Sequence, residues 1–326
     1  MRIDVSRAGG VVRKVMVVAV GGNALTLQHQ EGTAGQIEAN AEVAAAGICA
    51  LHAAGWRVVG VHGNGPQVGN LAIQQEGGID LVPPQPLHSL VAMSQGQLGS
   101  ALVRAIDARL GPGSAVAVVS HVTVDPADAA FAHPTKPIGP FFSEERSTAL
   151  SRERGWTMVE DSGRGYRRVV PSARPIGLVE SDAIKALVRA GKVVLVGGGG
   201  GVAVSADTLV GVDAVIDKDR AAARIAAGLG ASALVLVTGT DAVMVDFGTP
   251  DARAVASMTV ADAERNLAEG QFPQGSMGPK IEAVLEFLRS GGRLAVITSP
   301  QHLLEAVEPG ARVGTRIVPT PEKTFV

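Results

Sequence analysis

The chain has 326 residues, of which 46% are hydrophobic and 18% charged, and its formal net charge is −2 at pH 7. This length and apolar content allow one large α/β domain or two lobes around a sizeable core. The charge argues against binding to nucleic acid or to an anionic membrane surface. No apolar run reaches 18 residues, so no membrane span is expected, and the single cysteine, Cys49, favours a reducing, cytoplasmic location.

Residues 1–13 contain charges and glycines but no apolar stretch, so we interpret them as a flexible tail and not as a signal peptide. Five β-branched runs follow, each ending in glycine or a small polar residue: 15–23, 56–65, 192–201, 233–241 and 293–300. Such runs are typical of strands buried on both faces of a parallel sheet. Helices are predicted between them, over residues 37–54, 95–110, 181–190, 219–229 and 279–290. The alternation predicts a doubly wound α/β fold.

The segment 121–174 differs from the rest, because it is rich in proline and polar residues and has few periodic runs. We expect an insertion or small protruding subdomain here, with a hairpin. Lys136 lies in this segment between Pro134 and Pro137, which stiffen the loop and reduce the entropy lost when its side chain is held over a site.

Each glycine turn follows a strand, and ligands of such sheets bind beyond the carboxyl ends of the strands. Unobstructed backbone N–H groups there suit anionic oxygens. Within the run GGGGG at 197–201, Gly198, Gly200 and Ala203 also match the dinucleotide fingerprint. The residues after them alternate and show no helical face, so an oxyanion-binding turn is favoured over a nicotinamide site. The chain contains no Walker A sequence.

Two lysines stand where helices are predicted to begin. Lys280 follows Ser276, a candidate cap, and Pro279, which suits a first helical turn. A cation at a helix N-terminus is disfavoured by the helix dipole by some tenths of a kcal/mol, unless an anion binds there; a solvated surface lysine that tolerates this small penalty is the alternative for Lys280. Lys218 lies between Asp217, which could orient neighbouring lysines, and Asp219, interpreted as an acidic residue of the first turn. A charged turn without function remains the alternative for these three residues.

Other polar residues are given structural interpretations. His62 is expected to be packed or hydrogen-bonded, and no histidine or cysteine spacing suggests zinc. Arg164, Arg167 and Arg168 are expected on a solvated hairpin face, paired with Glu160 and Asp161, with ligand contact as the alternative.

Nine segments, in order, resemble the carbamate kinases of the amino-acid-kinase family: VVAVGGNAL, HGNGPQVGNL, SQGQLG, VDPADAAF, PTKPIGPF, EDSGRGYRRVVPS, GGGGGV, GVDAVIDKD and GSMGPKIEA. The resemblance extends from about residue 14 to residue 318. It implies a three-layer αβα sandwich around a mostly parallel sheet, a homodimer, and reversible phosphoryl transfer between MgATP and carbamate, giving ADP and carbamoyl phosphate. The expected domain covers residues 14–320, with an N-lobe at about 14–204 that carries the subdomain, and a nucleotide-binding C-lobe at about 205–320.

The resemblance also implies roles for individual residues. Lys218 and Lys280 match the lysines on the phosphate chain, Asp217 an organising aspartate, and Lys136 a lysine that reaches the acceptor. The residues expected around the acceptor and the transferred phosphoryl are Gly21, Gly22, Asn23, Gly63 and Asn64, joined by Gly198 and Gly199 from the glycine run. The residues expected at the nucleotide are Thr238, Gly239, Thr240, Asp241, Phe272, Gly275, Ser276 and Met277.

Magnesium is expected to be held mainly by nucleotide phosphates, because no carboxylate cage is visible in the sequence. Use of the reaction to make ATP from carbamoyl phosphate is the expected direction. The alternatives are an amino-acid kinase with another small carboxylate, phosphate or phosphonate acceptor, a nicotinamide-dependent oxidoreductase, and a nucleotide-binding sensor without catalysis.

Overall fold

A computed structural model describes residues 14–27, 30–64, 66–161, 163–273 and 276–319. The segment predicted as a flexible tail, residues 1–13, lies outside them. The strands are β1 (Val15–Val20), β2 (Arg57–His62), β3 (Ala115–Ala117), β4 (His121–Val124), β5 (Lys136–Phe142), β6 (Met158–Glu160), β7 (Tyr166–Val170), β8 (Gly177–Leu178), β9 (Val193–Val196), β10 (Val202–Ser205), β11 (Ala233–Val237), β12 (Val243–Val245), β13 (Arg253–Val255), β14 (Ser257–Thr259), β15 (Leu294–Thr298) and β16 (Thr315–Val318).

The helices are α1 (Gly22–Leu25), α2 (Ala34–Ala53), α3 (Gln67–Gly77), α4 (Leu87–Leu110), α5 (Glu144–Arg154), α6 (Ser181–Arg189), α7 (Lys218–Leu229), α8 (Val260–Ala268) and α9 (Met277–Arg289). Local sequence explains several of their ends. Thr33 and Gln36 form a capping box at the start of α2, and Gly230 ends α7 in a left-handed conformation. Among the helices of the described ranges, none is long and apolar enough to cross a bilayer.

The central sheet has eight strands in the order β14-β16-β15-β11-β1-β2-β9-β3. All neighbours are parallel except β15 and β16. The five strands predicted from β-branched runs are β15, β11, β1, β2 and β9, which are consecutive neighbours in this sheet. The sheet therefore confirms the α/β fold with a mostly parallel sheet.

Alternate residues of each central strand contribute to two different cores. Val17 and Ala19 of β1 pack in the core formed with α6, α7, α8 and α9. Met16 and Val18 pack in the core formed with α2 and α4. Since successive strand residues point to opposite faces, helices cover both faces and the fold is a three-layer αβα sandwich. Helix α2, the first long helix after β1, and helix α8, the first helix after β11, cover opposite faces of the sheet. The sheet therefore has a topological switch point between these two strands, and ligands of such folds bind at this point.

The proline-rich segment forms a small antiparallel sheet of its own, in the order β5-β7-β6, accompanied by helix α5. Strand β4, at the beginning of the same segment, instead pairs with β10 and β8. The predicted lobe and subdomain limits stay predictions.

The structure adds elements that the sequence patterns did not predict. Helix α4 begins at Leu87 and not at residue 95, and α3 starts immediately after the turn that follows β2. The first turns of both helices contain glycine, glutamine or serine, which weakens their helical periodicity.

Candidate active site

The glycine turns after β1, β2 and β9 pack directly against one another at the carboxyl edge of the sheet. A Cβ atom on Gly63 would lie 2.6 Å from the backbone nitrogen of Gly22. A Cβ atom on Gly199 would lie 2.4 Å from Nδ2 of Asn64, and Gly199 also has a φ of +64°. Glycine is required where a close approach and a left-handed backbone coincide. Four of the predicted phosphate-binding residues are thus brought together.

The turn at Gly198 is not the beginning of a helix. Residues Gly198–Gly200 form a single 3-10 turn, and strand β10 starts two residues later at Val202. The dinucleotide fingerprint needs a helix that opens at this point. The backbone therefore contradicts the nicotinamide alternative.

Two buried polar residues hold the glycine run in place. The backbone N–H of Gly197 donates to Oγ of Ser120 over 2.6 Å. Gln95 of α4 in turn bonds both backbone groups of Ser120, at 3.1 Å each. These residues are 25 and 77 positions apart in the chain, so no local pattern could have identified them together.

His62 is packed, as the sequence predicted. Its ring is 3% exposed, and Nδ1 donates to the carbonyl of Gly63 at 3.0 Å. Burial lowers the pKa of His62, and this outweighs the opposite effect of the hydrogen bond. A Cβ atom on Gly198 would lie 2.5 Å from the ring, so the imidazole fills the space between two turns.

Asn64 presents a hydrogen-bond donor without a protein partner among the described residues. The residue is 7% exposed, and its Nδ2 atom is buried and unbonded. A buried amide that lacks a partner costs about 1–3 kcal/mol. Its place among the glycine turns suits it to a bound oxygen atom.

Lys218 and Lys280 meet on one carboxylate, that of Asp219. Nζ of Lys218 lies 2.9 Å from one carboxylate oxygen, and Nζ of Lys280 lies 2.8 Å from the other. Helices α7 and α9 pack side by side and bring the first turns of both helices together. Lys218 also donates to the carbonyl of Ala19 at 3.4 Å, and a Cβ atom on Gly21 would lie 3.9 Å from its Nζ. Lys218 therefore adjoins the turn after β1, and Lys280 is connected to it through Asp219.

From the sequence, Asp219 was predicted only as an acidic residue of a first helical turn. Its position between the two lysines was not predicted. The spacing of Asp217, Lys218 and Asp219 was the one signal available. It could not reveal which carboxylate faces Lys280, 61 residues away.

The side chain of Asp217 accepts hydrogen bonds from three groups. Its side chain caps α7 by accepting from the backbone N–H groups of Asp219 and Arg220. Its second oxygen accepts from Nζ of Lys136 at 2.7 Å. Lys136 is the first residue of β5, so this bond connects the small antiparallel sheet to the beginning of α7. All four residues predicted as catalytic are thus close together.

Burial and charge shift the pKa values of this cluster. Burial alone would raise the pKa of Asp217, but the ammonium group of Lys136 and the helix N–H groups outweigh it and hold the pKa well below the usual range. Burial would likewise raise the pKa of Asp219, and Lys218 and Lys280 lower it instead. Burial lowers the pKa of Lys218, an effect that Asp219 opposes and Lys280 reinforces.

The residues predicted for the nucleotide occupy two places near these lysines. Thr238, Gly239, Thr240 and Asp241 follow β11, which is the neighbour of β1 in the sheet, and the last three are exposed. Phe272 is buried in the core, while Ser276 immediately precedes α9 and Met277 is its first residue, about one helical turn from Lys280. Ser276 does not cap α9 with its side chain, contrary to the prediction. Gly275 and the side chain of Asn23 lie outside what the structure describes.

Arg167 and Arg168 of β7, and Arg164 in the turn before it, are arranged mostly as expected. Arg164 and Arg167 both pair with Asp161, and their guanidinium groups lie over the ring of Phe141. Arg168 instead lies over the ring of Trp156, 4.5 Å from its centroid. Glu160 accepts from the backbone of Gly163, so its predicted pairing with the arginines is not observed.

Within the described ranges, no group of three histidine, cysteine or acidic residues could hold a metal ion. Asp217 and Asp219 already neutralise lysines.

The profile of the Amino acid kinase family matches residues 14–299. The chain is 44% identical to a carbamate kinase from Trichomonas vaginalis over 313 residues, which are 93% of this chain and 99% of the relative. It therefore belongs to the amino acid kinase family, within the carbamate kinases. A solved carbamate kinase from Giardia lamblia bound to AMP-PNP superimposes on this family member with a TM-score of 0.86 at 37% identity, covering 94% of this chain and 99% of that one.

A further relative of this amino acid kinase has a less definite name. The carbamate kinase-like protein YahI of Escherichia coli is 41% identical over 325 residues, covering 95% of this chain and all of the relative. Similarity at this level over nearly the whole chain establishes the family.

Proposed function

We propose that the protein transfers a phosphoryl group reversibly between MgATP and carbamate, giving ADP and carbamoyl phosphate. The observation that carries the proposal is the pair of lysines on Asp219, next to three fused glycine turns at the switch point of the sheet. Two lysine cations, together with the unbonded Nδ2 of Asn64 at the glycine turns, suit a group that carries negative charge on several oxygens.

Carbamate already has an anionic oxygen, so its attack on phosphorus needs no general base. The obstacle is the repulsion between two anions that approach in line. Positioning and electrostatic stabilisation should then supply most of the catalysis. This suits a site in which lysines are abundant and the one buried histidine of the turns, His62, is packed away from a proton-transfer role.

Each part of the site has a proposed task. Lys218 and Lys280 contact the phosphate chain, exchanging some of their attraction to Asp219 for phosphate oxygens. Nδ2 of Asn64 and the backbone N–H groups of Gly21, Gly22, Gly198 and Gly199 donate to the transferred phosphoryl and the acceptor, while the N–H of Gly63 already donates to the carbonyl of Val20 at 2.9 Å. Lys136, whose Nζ donates to Asp217 at 2.7 Å, reaches the acceptor.

The nucleotide is proposed to lie along the end of β11 and the beginning of α9. Thr238 to Asp241 form one side of this site, and Phe272, Ser276 and Met277 the other. Magnesium enters as part of the nucleotide substrate, held by phosphate oxygens, since the described residues provide no carboxylate cage.

The deciding experiment is ATP formation from ADP and carbamoyl phosphate, measured with a coupled assay while magnesium is titrated. We expect turnover that requires both the metal and carbamoyl phosphate. The reverse reaction, followed as ADP release from ATP with ammonium bicarbonate as the source of carbamate, should also be catalysed. ADP binding without any ATP formation would refute the function while leaving a nucleotide-binding sensor.

Two further features belong to the proposal. A homodimer is expected from the family resemblance, and sedimentation velocity would reveal a species of about 66 kDa in place of the 33.2 kDa chain. A cytoplasmic, reducing location fits the single buried cysteine, Cys49.

A further inference from the structure

We infer that Gly69 of α3 is a positioning residue for the acceptor side of the site, because it sets where strand β5 and therefore Lys136 are held. The inference rests on the proposed function for its kinetic test. It concerns a contact outside the residues that touch substrate.

The contact joins two backbones. A Cβ atom on Gly69 would lie 2.0 Å from Cα and 2.1 Å from the nitrogen of Gly139. Non-bonded carbon atoms rest at about 3.5–4.0 Å, so a methyl group here would displace one segment by about 1.5 Å. The reverse substitution would not clash, since a Cβ on Gly139 would lie 3.5 Å from Cα of Gly69.

The contact lies between the two halves of the acceptor site. Helix α3 begins just after the turn of Gly63 and Asn64, and the N–H of Gln67 bonds the carbonyl of Asn64 at 2.8 Å. Gly139 is three residues after Lys136 in β5. At about 3.4 Å per residue, Gly139 is then only about 10 Å from the residue whose ammonium group bonds Asp217.

Helix α3 is the side that should stay fixed. Gln67 donates to Oγ1 of Thr26 at 2.7 Å, which ties the first turn of α3 to the segment after β1. Val68 is fully buried in a core shared with α4. Strand β5 is less constrained, because its register with β7 is already interrupted between Ile138 and Phe142. A methyl group at position 69 should therefore displace β5.

The expected consequence is specific to one substrate. Misplacement of a reacting group by about 1 Å can cost on the order of 100-fold in rate. We expect Gly69→Ala to lower kcat/KM for carbamoyl phosphate by about 10- to 100-fold, and to leave the KM for ADP within about twofold. The nucleotide residues lie on other elements, after β11 and at α9.

Gly77→Ala is the matched control, since Gly77 lies in the same helix and a Cβ there would meet nothing within 4 Å. It should behave as wild type. If Gly69→Ala does the same, or raises both KM values together, the inference is overturned.

A double-substitution cycle tests whether Gly69 acts through Lys136. Once Lys136→Ala has removed the ammonium group, adding Gly69→Ala should lower kcat/KM for carbamoyl phosphate by less than about threefold more. Effects that multiply in full would overturn the inference, because independent residues behave additively in free energy.

A readout independent of turnover separates this inference from the proposed function. Labelling of Lys136 by an amine-reactive reagent, quantified by mass spectrometry, should be faster in Gly69→Ala than in Gly77→Ala, since the bond to Asp217 is weakened. Equal labelling would overturn the inference, even if the wild-type protein formed no ATP. If Gly69→Ala fails to fold, Gly139→Ala replaces it in each arm. Its φ of +72° is unfavourable for alanine, so this substitution strains the backbone of β5 at the same contact without a steric clash.

Discussion

Replacing Asp219 by asparagine tests the centre of the site most directly. The substitution keeps the shape of the side chain but removes the charge that two ammonium groups approach to 2.8 and 2.9 Å. Asp219 is 5% exposed, so water cannot take over its role without rearrangement. The variant retains two neighbouring cations in a largely buried position.

The magnitude follows from the burial of the cluster. Removal of one partner from a buried ion pair typically costs about 3–5 kcal/mol. The two pairs share one carboxylate, so their contributions are not counted twice. For a chain of 326 residues, this loss corresponds to a fall in Tm of about 4–7 °C.

The assay is differential scanning calorimetry at pH 7, with Asp262→Asn as the control. Asp262 also lies in the first turn of a helix, where it completes a capping box with Thr259, but it is partly exposed and pairs only with Arg265. Its replacement should cost no more than a lost cap, about 0.5–2 kcal/mol. The affinity of Asp219→Asn for ADP, measured by calorimetric titration, should be equal to or tighter than that of wild type, because the carboxylate that competes with phosphate for the two lysines has been removed.

A Tm within 1 °C of wild type would refute this reasoning, since it would mean that the lysines relax into solvent without cost. A loss of ADP binding at an unchanged fold would refute it in a different way. Asp219 would then orient the lysines so strongly that their charge alone is not sufficient.

The remaining predictions concern the individual lysines and pH. Lys280→Ala should reduce ATP formation from carbamoyl phosphate by about 100- to 1000-fold, the cost of one preorganised donor; turnover above about a tenth of wild type would contradict its role. Lys136→Ala should raise the KM for carbamoyl phosphate more than that for ADP, and unchanged carbamoyl phosphate kinetics would argue against contact with the acceptor. The lowered pKa values of Asp217 and Asp219 stabilise the fold above about pH 4, the unfolded pKa, and this stability is lost as the pH falls through the folded values. The difference in Tm between wild type and Asp219→Asn should therefore narrow below pH 4, and a constant difference would contradict the assignment. Because burial lowers the pKa of Lys218, kcat/KM should fall on the alkaline side at a pH below the free lysine value of about 10.4, and a fall only above that value would contradict it.

Local sequence was sufficient for the central strands and for much of the helical layer. Runs such as VMVVAV and ALVLV contain almost only β-branched or aliphatic residues, and such runs have few alternatives to a doubly covered strand. The same patterns were weaker for α3 and for the first half of α4, where glycine, serine and glutamine interrupt the periodicity. These two helices pack against each other, and α3 also packs against β5, so tertiary contacts support helical structure in these segments.

The sequence by itself determined the α/β class, the glycine turns after the strands and the lysines at helix starts, since each follows from a contiguous pattern. Only the tertiary structure decided which groups meet. It assigned Asp219 and not Asp217 to the pair of lysines, joined Asp217 to Lys136, and placed Ser120 beneath the glycine run. The physical reason is that these partners are separated by 61 to 81 residues along the chain. Their distances depend on how α7, α9 and the small antiparallel sheet pack around the switch point, and no local pattern encodes that packing.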